Sequence, residues 1–148
     1  ICSSLISLEK TIEERNADIE VDFRPEHLTT LGDKDQLKRV LINLIDNAMK
    51  FCIPGTQILI KTSVANGKAH VSISNIGEEI APDNLKHLFD RFYKTDKSRE
   101  RDRTGAGLGL SLVKNILRLH NQPITVKNTK NTDDDNYTTT FEFTLEVE

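Results

Sequence analysis

The chain has 148 residues, of which 36% are hydrophobic and 29% are charged, and its formal net charge at pH 7 is −3. These values favour one globular domain with its own core and exclude a fully disordered chain. The acidic balance argues against a nucleic-acid partner held by bulk charge, and the lack of any run of 18 apolar residues argues against a membrane span. Cys2 and Cys52 form no CxxC pair, which is typical of reduced thiols in the cytoplasm and of a chain without a zinc site.

Hydrophobic periodicity predicts a mixture of helices and strands along the chain. The predicted helices cover residues 3–16, 33–51, 83–89 and 107–120, and a first strand covers residues 19–23. Two hairpins are predicted at residues 58–73, with Asn66-Gly67 as the turn, and at residues 124–147. Residues 90–106 show no period and predict a loop. We therefore expect an α+β two-layer sandwich, with a mixed, mostly antiparallel sheet covered on one face by about three helices.

The helix predicted at residues 33–51 opens with a capping signal, Asp33 followed by Gln36, and carries two different faces. Its apolar residues cluster on one side, while Asn43, Asn47 and Lys50 fall within ~60° of each other on another side. Asparagine is a poor residue for a helix interior, because its amide competes for backbone hydrogen bonds. The stripe is either a solvent face or a site for Mg²⁺ and phosphate, since amide oxygens are hard ligands and lysine is a point charge.

A glycine-rich segment, residues 105–110 with the sequence GAGLGL, lies where a loop enters the last predicted helix. Glycine lets the backbone approach a ligand closely, and a helix N-terminus offers unpaired N–H groups to anions. The segment is neither a dinucleotide-binding fingerprint nor a P-loop, and it is either a phosphate site or ordinary turn chemistry. Asn75 and Gly77 follow the second strand of the first hairpin, where they either contact a base edge or form a turn.

A basic segment precedes these glycines. Residues 91–103 contain six basic and three acidic residues, which gives the segment a charge of +3 in a chain of charge −3. Such a run is usually a solvated loop, but beside a phosphate-binding turn it is typical of a lid over a polyanion. We expect Phe89, Phe92 and Tyr93 to anchor the root of this lid to the core.

Taken together and in this order, the motifs resemble the catalytic and ATP-binding domain of sensor histidine kinases in the GHKL ATPase superfamily. Residues 43–51 resemble the N box, residues 75–80 the G1 box, residues 88–94 the F box and residues 105–110 the G2 box, and residues 139–143 are similar to the closing strand. The likeness covers the chain from about residue 19 onward. It implies an ATP-binding sandwich of the Bergerat type.

The resemblance also implies roles for individual residues. Asn43, Asn47 and Lys50 would form the catalytic group, with Asn47 and Asn43 coordinating Mg²⁺ and Lys50 touching a phosphate. Asn75 would take the adenine amino contact, and Thr139 would back the adenine through a water. The nucleotide-binding residues that the resemblance implies are Asn47, Lys50, Phe51, Asn75, Gly77, Ile80, Phe92, Tyr93, Lys94, Arg99, Gly105, Ala106, Gly107, Leu108, Gly109, Leu110 and Thr139.

Three positions depart from the superfamily's pattern. Asn43 stands where the superfamily's ATPases carry a glutamate base, and an amide cannot take a proton from water. Asn75 stands where the adenine-reading residue is usually Asp, which predicts weaker nucleotide binding. Glu79 replaces the second glycine of the G1 box. The departures leave two alternatives open: a degenerate nucleotide-binding regulatory module, and a GHKL-type ATPase.

The function that the resemblance implies is that of a protein histidine kinase. It transfers the ATP γ-phosphoryl group to a histidine on a separate dimerisation helix in two-component signal transduction. None of the chain's histidines stands in a phosphoacceptor motif, so the acceptor is expected outside this chain. Because the chain starts at Ile1 without a Met, we expect a fragment, with residues 1–18 as a connecting helix and residues 19–148 as the catalytic domain. The implied partners are ATP, the parent's phosphoacceptor helices and a response regulator; the parent is expected to be a homodimer, in or near the plasma or inner membrane, with this domain in the cytoplasm.

Overall fold

The computed structural model describes residues 1–101 and 105–148 of the chain. Ten helices and strands are present in these residues, and the helices and strands alternate irregularly along the chain. In chain order they are α1 (Cys2–Glu14), β1 (Asp18–Phe23), α2 (Lys34–Phe51), β2 (Gln57–Ala65), β3 (Lys68–Gly77), α3 (Pro82–Leu85), α4 (Asp96–Arg101), α5 (Gly109–Leu119), β4 (Ile124–Lys130) and β5 (Tyr137–Glu146).

The strands form one five-stranded sheet with the order β1-β2-β3-β5-β4. Only the pair β1 and β2 is parallel, because α2 lies between them in the chain; the other neighbouring strands are antiparallel. Asn66 and Gly67 both have positive φ values in the turn between β2 and β3, as a two-residue hairpin of this type requires. The predicted mixed, mostly antiparallel sheet is therefore confirmed.

The core lies between one face of the sheet and the long helices. Leu44 and Ile45 of α2, Ile58 and Ile60 of β2, and Leu117 of α5 are fully buried in it. Helix α2 packs against α1, α5 and β3, so it occupies the centre of the helical layer. The two-layer architecture predicted from the sequence is confirmed, and it presents the polar edge of α2 to the space beside α5.

The N-terminus of α2 is held by two side chains from different parts of the chain. The Asp33 carboxylate accepts hydrogen bonds from the backbone N–H groups of Gln36 (2.9 Å) and Asp35 (3.0 Å), as the capping signal predicts. The Asp33 N–H in turn donates to Nε2 of His120 (3.0 Å), just beyond α5. Nδ1 of His120 lies 2.8 Å from the Ile116 carbonyl oxygen, which can only accept, so Nδ1 carries the proton. The pair fixes the start of α2 against the end of α5.

Three sequence expectations need correction or qualification. The predicted loop at residues 90–106 contains helix α4, whose first turn is capped by the Thr95 hydroxyl, an acceptor for the Ser98 N–H (3.0 Å). The predicted helix at residues 83–89 is shorter and ends at Leu85. Phe92 does not anchor the lid to the core, because its side chain is 66% exposed. Arg103 of the predicted lid lies outside the described residues.

Two further properties concern cysteine and the membrane. Both cysteines are free thiols in this structure, Cys2 exposed and Cys52 partly buried. Within the part of the chain that the structure describes, no helix combines the length and the apolar character needed to cross a bilayer.

The cap on α2 predicts a pH-dependent contribution to stability. The Gln36 N–H, and less strongly the Asp35 N–H, hold the pKa of the Asp33 carboxyl below its ordinary value of 3.8. Because the carboxylate is stabilised in the folded state, its cap contributes fully to stability above pH 3.8, the ordinary pKa. This contribution is lost as the pH falls through the lower pKa of Asp33 in the folded protein. We expect Asp33→Asn, which keeps a capping oxygen, to remove this contribution without removing the cap. Urea unfolding of both proteins at pH 7 and pH 3 measures it; an equal stability difference at the two pH values would contradict the prediction.

Candidate functional site

A cavity of about 680 Å³ opens between α2, the loop after β3 and the start of α5. Every site residue predicted from the sequence lines it, except Phe92 and Arg99. The structure therefore brings together residues that are nearly one hundred positions apart in the chain, from Asn43 to Thr139. Four parts of its wall are distinct: the polar edge of α2, the glycine-rich corner, the floor made by the sheet, and the segment around α4.

The polar edge of α2 contributes Asn43, Asn47 and Lys50. The orientation of the Asn43 amide is fixed, because its Nδ2 donates to the Arg39 carbonyl (2.8 Å), which can only accept. Its Oδ1 therefore points away from that carbonyl. Lys50 Nζ lies 2.9 Å from Asp46 Oδ2, and this ion pair lies on the cavity wall.

The glycine-rich corner touches the polar edge of α2 directly. A Cβ atom at Gly109 would lie 2.8 Å from Asn43 Oδ1, so only glycine lets the start of α5 approach this amide without displacing it. Gly107 has a φ of +72°, and a Cβ there would lie 3.0 Å from the Tyr93 carbonyl oxygen. The Phe92 N–H also donates to the Gly107 carbonyl (3.0 Å). These contacts hold the glycine-rich corner between α2 and the backbone of Phe92 and Tyr93.

The N-terminus of α5 is open toward this corner. Leu108 is its N-cap residue, and its side chain makes no capping hydrogen bond to the first backbone N–H groups of the helix. These N–H groups and the helix dipole make the end of the helix electropositive. Leu108, Gly109 and Leu110 line the cavity, so this electropositive end borders it. The arrangement suits an anion such as a phosphate.

The floor of the cavity is polar although it belongs to the core face of the sheet. Asn75 of β3 and Thr139 of β5 are cross-strand partners, and their exposed fractions are only 3% and 6%. They continue the inward-facing row of Ile73 and Phe141, where apolar residues would fill the space. A Cβ atom at Gly77 would lie 2.9 Å from the Phe51 carbonyl oxygen, so the end of β3 packs closely on the end of α2. Phe51 and Ile80 add apolar surface beside this floor.

The segment around α4, where the sequence predicted a lid, adds lining residues and a helix that the sequence did not predict. Thr95, Asp96 and Ser98 line the cavity, although this region was expected to be a loop. The signal was present in the sequence, because Thr95 precedes an acidic first turn and its hydroxyl caps Ser98 three residues later. Tyr93 connects this part to α3, since its hydroxyl donates to Asn84 Oδ1 (2.6 Å).

The cavity wall carries more acidic than basic groups. Its formally charged residues among those described are four carboxylates and two amines, a formal charge of −2: Asp46, Glu78, Glu79, Asp96, Lys50 and Lys94. No group of three or more His, Cys, Asp or Glu side chains within residues 1–101 and 105–148 is arranged to hold a metal ion. The wall therefore favours an anion only where backbone N–H groups, lysines or an accompanying cation offset the carboxylates.

Phe92 and Arg99 are the predicted site residues that the structure places away from the cavity. Phe92 has a φ of +62°, and the Arg91 guanidinium carbon lies 5.6 Å from the centre of its exposed ring. Its neighbour Phe89 does pack inward and meets Phe141 edge to face at 6.0 Å. Arg99 lies on α4 with an exposed side chain.

Comparison with known proteins gives consistent results. Residues 32–148 match the family model described as "Histidine kinase-, DNA gyrase B-, and HSP90-like ATPase". The sensor histidine kinase CusS of Escherichia coli O157:H7 is 37% identical over 108 residues, which are 73% of this chain and 22% of that protein. The sensor protein SrrB of Staphylococcus aureus NCTC 8325 is 42% identical over 95 residues, which are 64% of this chain and 16% of that protein. The chain thus spans less than a quarter of the length of these relatives.

A solved structure of a histidine kinase domain has the same fold as this chain. The catalytic domain of histidine kinase ThkA, in a nucleotide-free form, superposes with a TM-score of 0.76 at 26% identity, and the alignment covers 96% of this chain and 89% of that one.

The glycine-rich corner generates a prediction with a matched control. Gly107 and Gly67 have nearly the same φ, +72° and +73°, but only Gly107 is surrounded by backbone atoms, whereas nothing lies within 4 Å of a Cβ at Gly67. Replacing either by alanine should cost about 1–2 kcal/mol for the left-handed backbone. We expect Gly107→Ala to lower the free energy of unfolding by about 1–3 kcal/mol more than Gly67→Ala does, because the added methyl group would overpack the corner. Urea unfolding of both variants measures the difference; equal losses would show that the corner can relax.

Proposed function

Since this chain belongs to the family of histidine kinase-, DNA gyrase B- and HSP90-like ATPases, we propose that its cavity binds ATP together with Mg²⁺ and presents the γ-phosphoryl group to a histidine on another helix. The domain is the ATP-binding catalytic domain of sensor histidine kinases. The observation that carries the proposal is the contact between the amide stripe of α2 and the uncapped start of α5. Hard oxygen ligands and backbone N–H donors meet there on one side of a cavity of suitable size for a nucleotide.

The phosphate end of the nucleotide belongs at this contact. The N–H groups at the start of α5 would bind phosphate oxygens, and Gly107 and Gly109 would let the triphosphate lie close to the backbone. Lys50 would offer a point charge from the wall of α2. Its ion pair with Asp46 keeps the ammonium group at the cavity wall before the phosphate arrives. The chain's contribution to transfer would thus be positioning and charge neutralisation rather than covalent chemistry.

The residues present fit a magnesium ion that arrives with the triphosphate. Asn43 and Asn47 supply amide oxygens, and Mg²⁺ is usually held by a few protein oxygens together with phosphate oxygens and waters. When bound, the ion would neutralise charge on the phosphates. The cavity wall, with its formal charge of −2, would repel a bare triphosphate, which also favours entry of the anion and the cation together.

The base end of the nucleotide belongs at the sheet floor. Asn75 would accept a hydrogen bond from the exocyclic amino group of adenine, and Thr139 would contact the ring, directly or through a water. Phe51 and Ile80 would cover the apolar parts of the nucleoside. The lid residues Lys94 and Tyr93 would close the cavity between the two ends.

The acceptor is proposed to be an imidazole outside this chain. Asn43 cannot act as a base toward water, whereas a neutral imidazole is already a nucleophile. None of the four histidines stands in a phosphoacceptor motif. His120 also uses both ring nitrogens in structural contacts, His70 and His87 lie beside Glu142 and Asp90, and His27 is exposed. The partners would be the dimerisation helices of a homodimeric parent and a response regulator. Helix α1 would connect to those helices, and the domain would work on the cytoplasmic side of a membrane.

The first test of this function removes one amide from the stripe. Asn47→Ala should lower the affinity for Mg-ATP by at least about tenfold, because it deletes a proposed metal ligand at the phosphate end. Phosphoryl transfer to isolated dimerisation helices of a sensor kinase should fall with it. Isothermal titration with Mg-ATP and labelling of the helices with radioactive ATP measure the two effects.

The control for that test is Asn115→Ala, which removes an exposed asparagine from the helix α5. It should leave both measurements unchanged. Binding of Mg-ATP by the wild type without any labelling of a histidine would favour a regulatory module. Steady ATP hydrolysis that depends on Asn47 would favour an ATPase. Unchanged binding in Asn47→Ala would contradict the proposed site.

The second test changes the base end. Asn75→Asp should tighten ATP binding by about fivefold, because a charge-assisted hydrogen bond to the amino group is stronger than a neutral one. Burial opposes this gain, since the side chain is only 3% exposed and a buried carboxylate must be solvated by its partners. Isothermal titration with ATP at pH 8 measures the net effect of the stronger hydrogen bond and the burial of the carboxylate on the affinity. An unchanged or weaker affinity would show that this site gains nothing from the charge.

A further inference from the structure

One polar side chain outside the cavity wall fastens three parts of the base end together. Asn128 of β4 accepts a hydrogen bond from the Ile80 N–H at Oδ1 (2.8 Å). Its Nδ2 group donates to the Glu78 carbonyl (3.1 Å) and to the Thr139 hydroxyl (3.0 Å). Glu78, Ile80 and Thr139 all line the cavity, whereas Asn128 lies behind them. From this arrangement we infer that Asn128 is a positioning residue that sets the preference of the cavity for adenine over guanine. The inference rests on the proposed function.

The orientation of the Asn128 amide follows from its two backbone partners. The Ile80 N–H can only donate, so the atom that it contacts must be the amide oxygen. The Glu78 carbonyl can only accept, so the atom that it contacts must be the amide nitrogen. Both partners agree, and the flipped amide would lose both hydrogen bonds. The side chain is therefore locked in one direction.

This direction fixes the polarity of the Thr139 hydroxyl. Because the amide nitrogen of Asn128 can only donate, the Thr139 oxygen must accept from it. The single hydroxyl hydrogen then has to point elsewhere, and Thr139 is a lining residue of the cavity. Thr139 thus becomes a hydrogen-bond donor toward a ligand or an intervening water. Without Asn128, the hydroxyl could rotate and serve as donor or acceptor.

The strand register places this donor beside an acceptor. Asn75, Thr139 and Asn128 are cross-strand neighbours in one row over β3, β5 and β4. In the proposed pose, Asn75 accepts through its oxygen and Thr139 donates. The Watson–Crick edge of adenine offers the complementary pair, an amino donor beside a ring-nitrogen acceptor. Guanine offers the opposite pair. A flipped Asn75 amide could still donate to the guanine oxygen, but the Thr139 hydroxyl, held as a donor by Asn128, would face the ring N–H donor, which is costly in a buried place.

The Asn128 side chain also holds the loop that follows β3. Its two bonds to the backbone of Glu78 and Ile80 bring this loop against the edge of the sheet, although Glu78 and Glu79 are exposed. None of these contacts reaches the phosphate end, where α2 and α5 meet. The structure therefore predicts that loss of Asn128 affects recognition of the base and spares recognition of the phosphates.

The experiment compares ATP, GTP and inorganic tripolyphosphate, each with Mg²⁺, by isothermal titration. We expect the wild type to prefer ATP to GTP, and Asn128→Ala to reduce that preference by about tenfold. The affinity for tripolyphosphate should stay within about twofold of the wild-type value. The matched control is Asn131→Ala, which removes another asparagine tether near β4. Asn131 donates to Asp134 (3.0 Å) in the β4–β5 connection, accepts from Thr138 (2.7 Å) at the start of β5, and does not line the cavity.

A second variant keeps the test decisive if Asn128→Ala fails to fold. Asn128→Asp retains the acceptor for the Ile80 N–H but loses both donated bonds, and its second carboxylate oxygen can only accept from the Thr139 hydroxyl, so the preference for ATP should fall at least as far as in Asn128→Ala. In Thr139→Val, which lacks the hydroxyl, the added Asn128→Asp change should have little further effect on the ATP-to-GTP ratio, because both act through one group. A wild-type preference for ATP that survives in the Asn128 variants, or fully additive losses in the double variant, would overturn the inference. A wild type that binds no ATP would instead overturn the proposed function.

Discussion

The contact between the polar edge of α2 and the start of α5 is the constraint on which the site depends. One helix must bury Leu44 and Ile45 against the sheet and at the same time hold Asn43 and Asn47 at the cavity. Helical geometry permits this, because residues three and four apart share a face while their neighbours turn away. Any rotation of α2 would move both faces together. The core therefore sets the position of the amide stripe, and the absence of a side chain at Gly109 lets α5 reach it.

Much of the fold could be predicted because its signals are local. The period of 3.6 residues in α2 and the alternation along β2 and β3 are visible in short windows of the sequence. The Asn66-Gly67 turn and the Asp33 cap each depend on a few adjacent residues, and the structure confirms both. The parallel pairing of β1 with β2 was not specified in advance, since a strand's own pattern does not identify its partner.

The residues of the candidate site could also be predicted only in part. A stripe of asparagines and a run of glycines stand out because these residues are costly where they occur, and their order along the chain resembles a known family. Asn128 gives no such signal, because its partners lie 48 and 50 residues away along the chain at Ile80 and Glu78. Helix α4 was missed because its cap, Thr95, is embedded in charged residues without an apolar period. Phe92 was misplaced for a different reason: aromatic character predicts burial on average but not at one position of a strained turn.

In the proposed binding pose, the cavity would select its ligand by the direction of hydrogen bonds more than by charge. Its carboxylates outnumber its lysines, so an added acidic group at Asn43, beside the proposed phosphate end, would increase the repulsion of a polyanion. Neutral amides avoid this repulsion but give up the strength of charge-assisted bonds. They are selective only when their orientation is fixed, as the Arg39 carbonyl fixes Asn43 and the loop after β3 fixes Asn128. The backbone thus supplies the orientation, and the side chains need supply only neutral donors and acceptors.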